Sequence, residues 1–437
     1  MLSSFLFFAR RTSLARPVAG LVVGLSTALV SPALVLAQAA AEPVAEEPVA
    51  AAYGPAVYAP ETSYSVGSVV RAADGNLYRA FKDVKAADPA TSDGSTWRLE
   101  RVDESLTLDV PGRFPTIADA WTFLTDAKIT TAATVTIQLA PERYDLKAPL
   151  RLDRADSGRI VLDGGRQPDR CTLVFSGSNG IEVHEGGGLT IQGLTVKVVN
   201  AADRECIGIV VGHGAKARLE RVNVEGFWAG VVAEDGGRIE AEQCKVETTS
   251  RRSHAGGFKA LRNATMRLVR CKATNGKREN NHSFGFLAAT GGDLSCESCE
   301  ASGWHHGFSG CSCGSVWLTN CSSEGNMSGL MAFLGGTATV SDCQFVRNES
   351  WAVNSAEGTV HLSGCTLRDS VWGCLAVLNG HVAFRGSPCQ ISGCTKAAFQ
   401  SKGGGTFVGL KPTLTDNRDE FVLFPATTPA DQVFFWE

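Results

Sequence analysis

From about residue 180 the chain repeats itself, and no other property restricts its fold as tightly. An apolar anchor recurs at Ile191, Leu219, Ala241, Leu268, Cys296, Leu318, Val340, Leu362 and Phe384, at spacings of 28, 22, 27, 28, 22, 22, 22 and 22 residues. Eleven residues before the anchor stands Gly180, Gly208, Gly230, Gly257, Gly285, Gly307, Gly329 or Gly373, with Trp351 as the exception. Four residues before it, glycine recurs at Gly187, Gly237, Gly292, Gly314, Gly336, Gly358 and Gly380. Three residues after it come Leu194 and Val222, then Cys244, Cys271, Cys299, Cys321, Cys343 and Cys365. Apolar residues alternate with period two, as in Ile239-x-Ala241 and Val360-x-Leu362, so each unit consists of short strands. A unit of this length, with two or three strands and glycine at fixed turns, is one coil of a solenoid. Coils stacked about 4.8 Å apart pair their strands in parallel and set like residue on like. Glycine suits the turns, where φ is positive or backbones approach closely.

The pattern resembles the right-handed parallel β-helix of the pectin-lyase-like superfamily and of many phage tailspikes. It predicts an all-β solenoid of about ten coils, with the repeats in 179–410. Within 103–178, Pro115-Thr116-Ile117-Ala118-Asp119 opens a predicted helix with Thr116 as N-cap and Ile117, Trp121 and Leu124 on one face. Val135-x-Ile137-x-Leu139, Leu150-x-Leu152 and Ile160-Val161-Leu162 then read as strands. A helix followed by strands is similar to the N-terminal cap of pectinesterases and tail proteins, which shields the open strand edges of the first coil. The apolar tail in 411–437 is expected to cover the other end or to pack along one face.

Residues 1–39 read as an export signal. Arg10, Arg11 and Arg16 precede an apolar run from Pro17 to Leu36, and Ala37-Gln38-Ala39 offers a small-x-small cleavage site. The alternative is an uncleaved anchor, since the run approaches a bilayer span; Pro32 and the cleavage tripeptide favour removal. The expected product is secreted or held at the cell surface, without stable membrane insertion. Removal leaves 38 basic against 45 acidic residues, which argues against nucleic acid as a partner. Residues 40–61, rich in alanine, proline and glutamate, read as a linker.

In 62–102 the order Tyr64, Gly67, Val69, Asp74-Gly75, Tyr78, Ala80, Pro89, Trp97 surrounds a predicted hairpin at Asp74-Gly75. It resembles the small carbohydrate-binding modules attached to bacterial chitinases. The resemblance implies sugar binding, with Tyr64, Tyr78 and Trp97 as candidate aromatic residues. The family's stacking pair after the second strand has no counterpart in Phe81-Lys82-Asp83-Val84, and a spacer is the alternative.

Fourteen cysteines in an exported chain suggest a disulfide framework. The ladder argues otherwise. Cβ atoms of stacked cysteines stand about 4.8 Å apart, beyond the usual 3.5–4.5 Å of a disulfide, so mostly reduced thiols are expected. Cys311-Ser-Cys313 beside His305-His306 has the residue types of a zinc site. The ladder already accounts for the neighbouring cysteines, so neither a metal nor another cofactor is expected.

Three insertions interrupt the repeat, at Val199–Cys206, Thr249–His254 and Asn275–His282, all in the same turn. Insertions of that kind map to one face of a solenoid, often the binding face. Beside them stand Trp228, Trp304, His305 and His306, and within them Arg251, Arg252, His254, Lys277, Arg278 and His282. The loops also carry Asp203, Arg204, Glu205 and Glu279, and aromatic faces with charged and imidazole groups above them suit a polysaccharide or cell-surface glycan, an acidic one included. The alternative is a solvated edge whose loops vary in length.

No catalytic residue is identified. Pectinesterases and polygalacturonases use aspartate pairs on one outward strand face, and none occurs here. Gly212-His213-Gly214 matches the polygalacturonase Gly-His-Gly without its companion aspartates, so His213 reads as a turn residue. Leu287, Met331, Phe333, Val353, Leu375 and Val377 form an outward apolar stripe, expected to be covered by the tail or by packing into a homotrimer. Asn-x-Ser/Thr occurs at Asn263, Asn281, Asn320, Asn326 and Asn348. The reading is an exported polysaccharide-binding β-helix, a non-catalytic adhesin or surface binder. The alternatives are a lyase or hydrolase of the pectin-lyase-like superfamily, with Arg, Lys or His as base, and a structural envelope or appendage component.

Overall fold

The computed structural model describes residues 55–154, 158–200, 204–250, 253–276, 282–423 and 432–436. The leader, most of the linker, Asp203, Arg251, Arg252, Lys277, Arg278, Glu279 and Asn281 lie outside the described residues. Pro55–Glu437 is one compact unit.

Each coil carries three strands, as in Gly256–Leu261, Thr265–Val269 and Lys272–Asn275. First strands stack into a sheet of 12, second strands into one of 14 and third strands into one of 12. Every pairing between coils is parallel and in register, so that Phe258 meets Phe286 and Phe286 meets Phe308. Alternation decides what is inside: in Thr265–Val269, Met266 and Leu268 are buried while Thr265 and Arg267 face water. The interior columns contain stacked rings, Phe258 to Phe286 at 5.2 Å and Phe286 to Phe308 at 4.8 Å between centroids. The solenoid runs beyond the predicted ten coils at both ends. Leu106–Val110 and Val135–Leu139 already belong to the second-strand sheet.

Both glycine rows serve close approach. A Cβ on Gly285 would lie 2.6 Å from the Gly307 carbonyl oxygen, and one on Gly358 would lie 2.7 Å from that of Ala332. Positive φ falls instead on neighbouring turn residues such as His213 (52°) and Asp235 (51°).

The outward stripe needs one correction. Val353 pairs with Leu330 and Cys374 and is fully buried, whereas Asn354 pairs with the outward Met331 and Leu375. Ala352 occupies the glycine place, so this strand enters one residue later than the spacing suggests. Polar Ser309 and Asn354 therefore interrupt the stripe. The described residues of the tail do not lie over it: Thr413–Thr415, Asp419–Leu423 and Gln432–Trp436 add a last strand to each sheet. Phe421 stacks on Phe399 at 4.8 Å, which anchors that final coil.

At the other end the helix Ile117–Leu124 is capped reciprocally by Thr116 and Asp119. Its Phe123 packs on Tyr78 and Phe114. The strands Val69–Arg71, Leu77–Ala80 and Trp97–Val102 thereby share one hydrophobic core with the cap and the first coils.

All 14 cysteines are free, and only Cys313 is exposed. The row continues to Cys389, whose Sγ accepts the Cys365 N–H at 3.4 Å. Thiols also donate along the axis, as Cys321 does to the Cys296 carbonyl at 3.4 Å. Burial pushes the Cys374 thiol well above its ordinary range and Cys171 up to about 12, so these groups stay protonated and unreactive. A thiol reagent should therefore label Cys313 alone in the native protein and all 14 cysteines after denaturation without reductant. Labelling of fewer than four in the denatured chain would contradict the ladder of reduced thiols.

Candidate functional site

The three insertions join the third strand of one coil to the first strand of the next. They follow Thr195–Val199, Lys245–Thr248 and Lys272–Asn275 and precede Ile207–Val211, Gly256–Leu261 and Phe284–Ala289. An uninserted coil crosses the same corner with Gly226, Phe227 and Trp228 alone. Stacking of successive coils thus brings Trp228, His254, His282 and His305 to one edge of the first-strand sheet.

The imidazoles form a chain. Ring centroids lie 6.3 Å apart for His254 and His282, 5.1 Å for His282 and His305, and 4.3 Å for His305 and His306. His305 Nδ1 and His306 Nε2 are 2.8 Å apart, one donating to the other. His306 follows Phe284 in the outward row next to the corner and stacks on it at 5.4 Å. It is 3% exposed, and its Nδ1 has no hydrogen-bond partner among the described residues. Burial holds His306 well below the usual imidazole range and also lowers His254 and His282.

In the next outward row stands Lys259, between Val232 and Leu287. Its ammonium lies 4.3 Å from the Trp228 ring centroid and donates to the His254 carbonyl at 2.9 Å. The Trp228 indole N–H donates to the Ser253 carbonyl at 3.1 Å, which fixes the ring over the lysine. Burial pushes the Lys259 ammonium down to about 8, against the opposing pull of Glu205 and Glu234. Further along that row the buried Ser309 Oγ and Asn354 Oδ1 have no partner among the described residues. Half-buried Trp351 and Trp372 are paired neighbours in the row next to the corner. Trp351 faces Gln400 at 3.4 Å, and the Lys396 ammonium lies 5.3 Å from the Trp372 ring centroid.

Of the sequence candidates, Trp228, His254, His282 and His305 meet here. Trp304 does not: it is fully buried, with its indole N–H donating to the Ala273 carbonyl at 3.0 Å. Tyr78 and Trp97 are likewise buried and cannot offer a stacking face. The Tyr78 hydroxyl donates to Asp74 at 2.6 Å, and the Trp97 indole N–H donates to the Ala87 carbonyl at 2.8 Å. Tyr64 is half-buried and packs edge-on against Trp97. Cys311 and Cys313 stand apart from the histidine cluster. Sequence reasoning missed Lys259, Trp351 and Trp372. A lone charged residue between Val232 and Leu287 in the outward row was the available signal for the first.

The family described as "Right handed beta helix region" matches residues 207–349 and 267–418. No curated protein matches the chain in sequence. Among solved structures it is similar to the A-module of the Azotobacter vinelandii mannuronan C-5 epimerase, at 14% identity over 69% of this chain and 91% of that one, TM-score 0.46. It is similar to the gp42 tailspike of an Acinetobacter phage, at 10% identity over 83% and 72%, TM-score 0.48. It is also similar to the catalytic domain of a GH87 α-1,3-glucanase, at 11% identity over 76% and 68%, TM-score 0.44. With three in-register parallel sheets and a matched region covering all but the first of the repeats, the chain is a right-handed parallel β-helix.

Proposed function

We propose that the chain is an exported protein that binds a polysaccharide along the outward face of the first-strand sheet. The observation that carries this reading is one lane of that face, where half-buried Trp228, Trp351 and Trp372 flank unpaired buried polar atoms of Ser309 and Asn354. Pyranose rings stack on indoles. Exposed Lys396, over the Trp372 ring, favours a polymer that carries carboxylates. Five strand spacings separate the coil of Trp228 from that of Trp351, about 24 Å, which suits an oligosaccharide stretch better than a single sugar. The outward rows between Ile207 and Lys402 contain no aspartate pair, and this supports a non-catalytic binder.

A second reading rests on Lys259. A buried lysine brought down to about 8 has the poise of a general base that abstracts a proton beside a uronate carboxyl. One experiment separates the two. Titration with acidic and neutral polysaccharides should find a ligand whose affinity falls about tenfold or more in Trp351→Ala/Trp372→Ala, the loss of two stacking contacts. Accumulation of unsaturated uronic products would move the chain to the lyase reading. Failure of every polymer to bind would sink both.

A further inference from the structure

We propose that His282, His305 and His306 form a binding site for a divalent transition-metal ion of the zinc class. One ring nitrogen from each lies within 4.8 Å of the others. Nitrogens bound to one tetrahedral zinc stand about 3.3 Å apart, given bonds of about 2.0–2.1 Å. Small side-chain rotations therefore close the triad around an ion. His305 and His306, at 2.8 Å, are already closer than that, and a cation would replace the hydrogen bond between them.

The donor set selects the metal class. Three imidazoles with no carboxylate in the group suit zinc, cobalt, nickel or copper and disfavour calcium and magnesium, which require oxygen ligands. Packing does not explain the residues. The row of His306 holds Phe284 before it and Ser328 after it, so this place in the coil accepts side chains of quite different character. A buried imidazole with one nitrogen unmet is a poor filler for such a place. Nor does the Cys311-Ser-Cys313 stretch supply the ligands. The third histidine comes from the end of an insertion in the preceding coil, a juxtaposition that only the stacking creates.

Three protein ligands leave a coordination position for water or a ligand oxygen, the arrangement of reactive rather than purely structural zinc sites. The site is argued from the triad alone and stands or falls without the polysaccharide reading.

The test uses the full chain, stripped of metal with a chelator and titrated with Zn²⁺ by calorimetry and with Co²⁺ by visible absorption. The expected result is one saturable site per chain with ligand-field bands of nitrogen-coordinated Co²⁺. His282→Asn and His306→Phe should each weaken binding about 100-fold or more, at least the loss seen when a metal's supporting shell is disrupted. Cys313→Ser, which removes the exposed thiol, should leave it unchanged. His306→Phe keeps a ring against Phe284; if that variant fails to fold, His282→Asn at the half-buried corner carries the test. Absence of saturable binding up to millimolar metal would overturn the proposal. So would binding that survives His282→Asn, or binding lost in Cys313→Ser.

Discussion

Phe286→Ala should destabilise the protein by about 4 kcal/mol, the middle of the range for emptying a buried aromatic position. The ring is fully buried and lies between Phe258 and Phe308 at 5.2 and 4.8 Å. A solenoid relaxes poorly around such a hole, because the backbone ladder fixes the spacing of the coils above and below. The cavity therefore persists, and its cost adds to the lost transfer energy. Phe421→Ala is the matched control. That ring also stacks in the column, but it is 36% exposed in the last coil, so its removal should cost no more than about 1.5 kcal/mol. Urea unfolding followed by tryptophan fluorescence measures both. A loss below 1 kcal/mol for Phe286→Ala would mean that the stacked rings are not the core of the fold.

Lys259→Met should have the opposite sign and stabilise the protein by about 2 kcal/mol at pH 7. The folded state holds this ammonium at about 8 rather than 10.5, a difference of about 3 kcal/mol at most. Part of that gain is given back with the lost contacts to Trp228 and the His254 carbonyl, together about 1 kcal/mol. The direction with pH follows from proton counting. Below pH 8 both states carry the proton, and the penalty is full and constant. Between about 8 and 10.5 the unfolded chain still binds a proton that the folded chain has released, so wild-type stability rises with pH. The advantage of the methionine variant should therefore shrink steadily over that interval. Melts at pH 7, 9 and 10 would show it. A variant no more stable than wild type at pH 7 would remove the ground for regarding Lys259 as kept at a cost to stability. A stabilised variant that has also lost polysaccharide binding would fit the usual opposition between stability and function.

The residues explain why some of this was legible in the sequence and some was not. The solenoid, the inward cysteine row, the Thr116 cap and the common corner of the three insertions all follow from spacing, because parallel stacking converts a repeat into a column. What spacing could not give was the register inside a corner. Trp228 and Trp304 look equivalent, yet Phe227 takes the interior place in one coil and Trp304 takes it in the other. Trp228 is thus turned outward and Trp304 inward by a shift of one residue. The same slip hid Asn354 behind Val353 once Ala352 had replaced the usual glycine. Asn326 and Asn348 show a different failure. Both carry the glycosylation pattern, yet both are buried rungs of the ladder. Asn326 Oδ1 accepts the Trp304 N–H at 2.8 Å, and Asn348 Oδ1 accepts the Asn326 N–H at 3.2 Å. Lys259 escaped, and so did the convergence of the candidate histidines His282, His305 and His306 on one point, because both arise between coils, not within one.

Stacking makes the molecule close to a one-dimensional chain of units, in which each coil is held by the coil on either side and hardly at all by more distant ones. Disturbance then spreads along the axis and decays with every interface it crosses. At one end of the stack stands the helix Ile117–Leu124, and at the other the last described strands are Asp419–Leu423 and Gln432–Trp436. Seven first strands, from Phe284–Ala289 to Asp419–Leu423, stand between the strand bearing Lys259 and that end. Fraying that begins at that end must undo the succession, interface by interface, before it reaches the lysine and its histidine neighbours. The length of the stack beyond the site is an insulator, and it lets the corner carry a buried charge and unmet polar atoms while the ends breathe.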